Sequence, residues 1–169
     1  MKSILALFCM ISMGVVCVAH SDERIGAVLK EYGLYMSAAT EKLVQPDAPD
    51  QYVLRGTEEQ TLLVLTNVVP ARIGVTFGFK YALTNAFKAE GIKLKIVYMF
   101  PKMTNPISGR TVTRHEGIIN VEEGVEAYVL YKLEQEWECV PGEWMLAVFD
   151  GDNRLVNKRF LMIPDDAVH

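Results

Sequence analysis

Residues 73 to 83 alternate. Ile73, Val75, Phe77, Phe79, Tyr81 and Leu83 fall on one parity, with Arg72, Thr76 and Lys80 on the other. Successive side chains of a strand point to opposite faces, so this pattern calls for a sheet with one face in a core. Gly74 and Gly78 share the polar parity, which predicts a bulge or the close approach of another backbone. Ile92, Leu94, Ile96 and Tyr98 repeat the alternation, with Lys93, Lys95 and Val97 between them. Leu62 to Val69 is a continuous apolar run broken by Thr66 and Asn67, and reads as a central strand. Val125 to Leu133, rich in Val and Tyr, reads as another.

The C-terminal third is the most explicit. Pro141-Gly142 marks a turn, and Glu143 to Phe149 carries Trp144, Leu146 and Val148 on one parity. Asp150-Gly151-Asp152-Asn153 is a hairpin turn built from residues that tolerate positive φ. Arg154 to Ile163 returns with Leu155, Phe160 and Met162, and Pro164-Asp165-Asp166 ends the ordered chain. Residues 24 to 43 fit either period. A helical stripe runs through Ile25, Val28, Leu29, Tyr32, Met36, Ala39 and Leu43, but Gly26 and Gly33 would each cost a helix about 1 kcal/mol. A strand from Arg24 to Tyr35 is the expectation. Loops are expected over Gln45–Asp50 and Lys102–Arg110, with Pro46, Pro49, Pro106 and Gly109. The fold class is therefore all-β: an immunoglobulin-like antiparallel β-sandwich of about seven or eight strands, with a jelly roll or open barrel as the alternative.

The first 19 residues stand apart. Lys2 supplies a positive charge, Ile4 to Val18 carry none, and Cys17-Val18-Ala19 offers small residues for cleavage. This is the grammar of a signal peptide, over residues 1–19, with a single β-sandwich domain over residues 20–169. The apolar run is shorter than the roughly 20 residues of a spanning helix. Cleavage after Ser21 fits as well, and Val16 before Cys17 speaks against a lipoprotein. The expected location is periplasmic or secreted, with no membrane span in the mature chain. Loss of Lys2 leaves 16 of the 17 basic residues against 21 acidic ones, a balance that disfavours nucleic acid and anionic membrane as partners. Cys9 and Cys17 leave with the signal, so Cys139 has no internal disulfide partner. Nearby Glu136, Glu138 and Glu143 would raise its thiol pKa rather than activate it.

Two blocks carry a family resemblance. Val69-Pro70-Ala71-Arg72-Ile73-Gly74-Val75-Thr76-Phe77-Gly78-Phe79 is similar to an I/V-P-A-x-x-G-x-x-F-G segment, followed by Phe100-Pro101 and Pro106. Val140-Pro141-Gly142-Glu143-Trp144 resembles a V-P-G-x-W ending. Both resemble the bacterial domain-of-unknown-function family 3859, over about residues 24 to 163. The chain departs from that pattern at Phe100, where a histidine would be expected. The resemblance implies a sandwich fold and brings no activity with it.

The residue inventory offers little for chemistry. Beyond the signal the serines are Ser21, Ser37 and Ser108, none in a G-x-S-x-G setting. Ser108, His115 and Glu116 lie close in sequence, but adjacent strand residues face apart. His20, His115 and His169 have no metal-ligand spacing. Met99 and Met103 could hold cuprous copper, but Lys102 lies between them and Met99 reads as core. Glu122, Glu123 and Glu126 lack the pattern of a calcium loop. No catalytic, cofactor-binding or metal residue is therefore assigned, and no enzyme activity is expected.

The least bland features are surface ones. Residues 71 to 114 hold Arg72, Lys80, Lys88, Lys93, Lys95, Lys102, Arg110 and Arg114 against Glu90. Residues 115 to 143 hold Glu116, Glu122, Glu123, Glu126, Glu134, Glu136, Glu138 and Glu143 against Lys132. These blocks either pair across neighbouring strands or steer a charged partner, and pairing is the favoured reading. Tyr128, Tyr131, Trp137 and Trp144 are candidates for a glycan platform; Trp144 reads as core and Trp137 as exposed. The expected function is protein interaction in the envelope, with another envelope protein or a second copy. A glycan or small-ligand module is the alternative.

Overall fold

The computed structural model describes residues 24–36, 41–44, 52–55, 60–85, 91–121 and 126–167. The expected signal peptide and the expected loop from Gln45 to Asp50 lie outside the described residues. Strands follow in chain order: β1 (Gly26–Met36), β2 (Glu41–Val44), β3 (Tyr52–Arg55), β4 (Thr61–Val64), β5 (Val68–Ala71) and β6 (Thr76–Thr84). The remainder are β7 (Ile92–Thr104), β8 (Thr111–Val121), β9 (Glu126–Lys132), β10 (Gly142–Asp150) and β11 (Asn153–Pro164).

One sheet has the order β4-β1-β6-β9 and the other β5-β11-β10-β7-β8. β2 and β3 form a separate two-stranded ribbon, with β3 lying against β9. The pairings are antiparallel except that β5 runs parallel to β11. This is the immunoglobulin-like sandwich the alternation predicts, with nine strands in its two sheets among the described residues rather than seven or eight. Where helix and strand were both open, Gly26–Met36 is a strand, not a helix.

The core lies between the sheets. Phe77, Phe79 and Tyr81 of β6 and Leu94, Ile96 and Tyr98 of β7 meet Trp144, Leu146 and Val148 of β10 there. Trp144 sits at the centre of an aromatic cluster, its ring centroid 5.5 Å from Phe77, 5.2 Å from Phe100 and 5.1 Å from Tyr131. Its indole Nε1 donates to the Val140 carbonyl at 3.2 Å. Edge-to-face and tilted contacts of this kind add to the burial of each ring.

The close approach expected at Gly78 is present. Gly33 and Gly78 stand opposite each other in the β1–β6 register. A Cβ on Gly33 would lie 1.9 Å from the Val64 oxygen of β4, and one on Gly78 2.0 Å from the Val129 oxygen of β9. With φ near +151° and +155°, both positions belong to glycine on sterics and on space.

Four expectations are corrected. Leu62–Val69 is not one central strand: it splits into β4 and β5, each at the edge of a different sheet. Thr66 breaks it, its Oγ1 accepting from the Val68 N–H at 3.0 Å while the chain crosses between sheets. The alternation at 73–83 becomes strand only from Thr76. Ile73-Gly74 is a turn pinned by Gly74 N–H on the Leu133 carbonyl at 2.7 Å, which leaves Ile73 exposed. The strand at Ile92 continues through Pro101 to Thr104, so the expected loop shortens to residues 105–110; the register breaks between Met99 and Met103. That break brings Met103 into the core; Met99, expected to be core, lies before it on the outward parity of Lys93 and Lys95 and is exposed.

Candidate functional site

The residues singled out from the sequence do not converge. Ser108 is exposed in a loop. His115 points inward from β8 and stacks on Tyr98 at 5.9 Å. Glu116 is on the opposite parity, its carboxylate accepting from Arg114 Nε at 2.6 Å. The three therefore form no triad. Met103 is wholly buried and Met99 exposed, so they do not share a copper site. Of the three acids considered for calcium, Glu122 and Glu123 lie outside the described residues, and Glu126 pairs with Lys80 across β6 and β9. That pair raises the Lys80 pKa and lowers that of Glu126. Among the described residues no three His, Cys, Asp or Glu side chains group as a metal site.

The aromatic candidates are likewise absorbed by the fold. Trp144 is core and Tyr131 packs on its ring. Tyr128 meets Tyr35 edge-on at 6.0 Å and lies under the Lys80 ammonium. Trp137, expected to be exposed, is half-buried against the core within a 3-10 turn, Glu136–Glu138. The cause is its neighbour. Glu138 folds inward, only 1% exposed. Its Oε2 accepts from the Glu134 and Gln135 N–H groups, both at 2.8 Å, and its Oε1 from the Tyr131 hydroxyl at 2.9 Å. A carboxylate held by three donors fixes the turn and presses Trp137 onto the sandwich. Cys139 follows, half-buried, its thiol aimed at the Gln135 carbonyl at 3.6 Å. Burial first, then Glu138 and Glu136, push that thiol's pKa up, the direction of an inert cysteine.

The feature sequence reasoning missed is the crossover from β4 to β5. Leu63, Val64 and Leu65 are 53%, 50% and 64% exposed in immediate succession. Val68 is exposed too, and stands opposite exposed Leu161 in the β5–β11 register. Five exposed aliphatic side chains thus lie along one ridge of the sandwich, where both sheets end, with adjacent Leu63 and Val64 of β4 on opposite faces of it. Isolated exposed aliphatics are ordinary, but a consecutive run is not. Its only sequence signal is the apolar run itself, which reads equally as a buried strand.

The outer face of the five-stranded sheet is the second notable surface. Across β11, β10, β7 and β8 one row reads Arg159, Met145, Met99, Arg114, and the next Asn157, Ala147, Val97, Glu116. Ala147 and Val97 form a floor, 0% and 1% exposed, yet they lie outside the core between the sheets. Lys93 and Lys95 point outward on this face while Leu94 is buried, as the alternation predicts.

With this geometry in view, the chain can be placed. The family model described as a domain of unknown function, DUF3859, matches residues 23–162. The chain belongs to this family. The match spans both sheets of the sandwich, and both motif blocks of the DUF3859 resemblance fall inside it. The Val69–Phe79 block forms β5, the Ile73-Gly74 turn and the start of β6; the Val140–Trp144 block leads into β10 beneath the aromatic cluster. This DUF3859 chain is also similar to an immunoglobulin-like protein from Pseudomonas aeruginosa. The two share 24% identity over 83% of this chain and 97% of that one, with a TM-score of 0.61. That likeness concerns the fold. Among curated proteins none matches.

Proposed function

We propose that this DUF3859 protein is an exported, non-enzymatic docking module of the cell envelope, which holds a partner protein through the β4–β5 crossover. The ridge of Leu63, Val64, Leu65, Val68 and Leu161 carries the reading. Each fully covered aliphatic side chain gains roughly 1.5–3 kcal/mol relative to exposure, so leaving five in water is costly unless a partner covers them. The N-terminal grammar of Lys2, Ile4–Val18 and Ala19 supports export. Among the described residues no helix is long and apolar enough to cross a membrane. The glycan alternative has no support from the aromatic side chains, which pack inward or against one another.

A photo-crosslinking side chain placed at Leu63 or Leu65 in living cells tests the proposal. One discrete protein adduct is expected from these positions and none from Ile107, which is 94% exposed in a distant loop. L63K/L65K should abolish co-purification of that same protein. Equal labelling at all three positions, or none at the ridge, refutes the reading.

A further inference from the structure

We infer that the outer face of the five-stranded sheet docks a second copy of this chain, face to face, about a twofold axis lying across the strands. This goes beyond the ridge reading and uses a different surface. Take the axis midway between the row of Met145 and Met99 and the row of Ala147 and Val97. Rotation keeps each strand over its own counterpart and reverses its direction. Met145 of one copy then stands over Ala147 of the other, and Met99 over Val97; Ala147 and Val97 are already covered within each copy, so the apolar contact comes from the methionines, Met99 39% exposed and Met145 half-buried. Arg114 stands over Glu116 of the other copy, and Glu116 over its Arg114. The ion pair within each β8 thereby joins its counterpart in a ring of four alternating charges. Arg159 comes over Asn157 of the other copy, a donor over an amide. One row further out, Glu143 comes over Phe149, with Lys95 beside it in the β10–β7 register.

The competing twofold, along the strands, fails on charge. It would lay β8 over β11 at equal height and set Arg114 against Arg159 of the other copy. Like charges facing across an interface oppose association. Of these two axes, only the one across the strands sets Arg114 directly opposite a carboxylate of the other copy, although Arg159 is itself paired with Glu143 within each chain. The area is sufficient but modest. Four strands about 4.8 Å apart and four rows about 6.8 Å apart span roughly 20 by 27 Å. Two such faces bury on the order of 1,000 Å², the lower bound for a specific interface, so dissociation in the micromolar range is expected.

Sedimentation of the purified protein from about 1 to 200 µM tests this, that range bracketing the expected dissociation constant. A monomer–dimer equilibrium is expected. R114E sets a carboxylate against Glu116 of the other copy and should weaken the dimer at least about tenfold. R114E/E116R rebuilds the alternating ring with signs exchanged and should restore dimerisation to within about threefold of wild type. M145E should abolish it, with far-UV circular dichroism and the urea midpoint showing the fold intact. L63K/L65K should dimerise normally, which keeps this inference separable from the ridge proposal. A monomer throughout the range overturns the inference. So does a dimer tightened by R114E, which is the signature of the competing axis. Failure of R114E/E116R to restore association overturns it too, as does a dimer lost with L63K/L65K, which would place the contact at the ridge.

Discussion

Replacing Trp144 by alanine should destabilise the domain by about 3–5 kcal/mol, the range for truncating a large aromatic in a packed core. The position justifies that range. Trp144 is 0% exposed, and Phe77, Phe100 and Tyr131 contact its ring from different directions. These neighbours belong to three strands in two sheets, so the cavity cannot close by a local shift. The indole N–H is also lost, leaving the Val140 carbonyl without its donor. W144F separates the two contributions. It keeps a ring in the cluster and loses the hydrogen bond, and should cost about 1–2 kcal/mol beyond its smaller volume. Urea denaturation followed by far-UV circular dichroism measures both. At a slope of about 2 kcal/mol per molar urea, W144A should lower the midpoint by about 1.5–2.5 M. A W144A midpoint within about 0.3 M of wild type, at unchanged slope, would show that this ring does not hold the sheets together.

Other outcomes follow from the same structure. E138A strips the acceptor from Tyr131 and from the Glu134 and Gln135 N–H groups, and should cost about 3 kcal/mol, with E138Q in between; a near-neutral urea midpoint for E138A would refute the buried-carboxylate account. Burial raises the phenol pKa of Tyr35, Tyr81 and Tyr98, with Glu31 adding to the effect at Tyr35 and Tyr81 at Tyr98. The unfolded chain therefore releases these protons first, and stability should be intact below about pH 10 and fall as pH rises above it; a midpoint that holds steady to pH 11.5 contradicts this. N-terminal sequencing of the exported protein should begin at His20, or at Asp22 if cleavage follows Ser21; an intact Met1 on the functional protein would remove the case for export.

What the sequence made legible was what period two can report. β6, β7, β10 and β11 each bury one parity against the opposite sheet, and their alternation said so. It failed where neighbours in space decide. Leu62–Val69 looks like a buried strand because periodicity cannot distinguish an apolar run that fills a core from one that crosses an open edge. Trp137 was misplaced because the force that tucks it in acts through Glu138, whose Tyr131 partner lies in another element. Met99 faces outward on the parity of Lys93 and Lys95, which the alternation itself carries, whereas Met103 reaches the core only because the register slips after Met99 and a slip of one residue exchanges every face beyond it. The ridge itself shares no motif with any catalytic or ligand-binding pattern.

The parallel pairing of β5 with β11 has a consequence for the order of assembly. A chain emerges from its N-terminus, whether from the ribosome or through a membrane pore, and its strands become available in that order. β6 can meet β1 early, and β7 with β8 form a hairpin as soon as both are out. β5 must wait, because Val68 pairs with Leu161 and most of the domain lies between them. Until the last strand arrives, Val69 has no core to enter and the adjoining aliphatics have no sheet beside them. Loop closure of this length is slow, and the uncovered segment is the sort that captures other nascent chains. Truncation just before Arg154 should therefore yield a collapsed, aggregation-prone intermediate whose hairpins are formed but whose first sheet edge is still open.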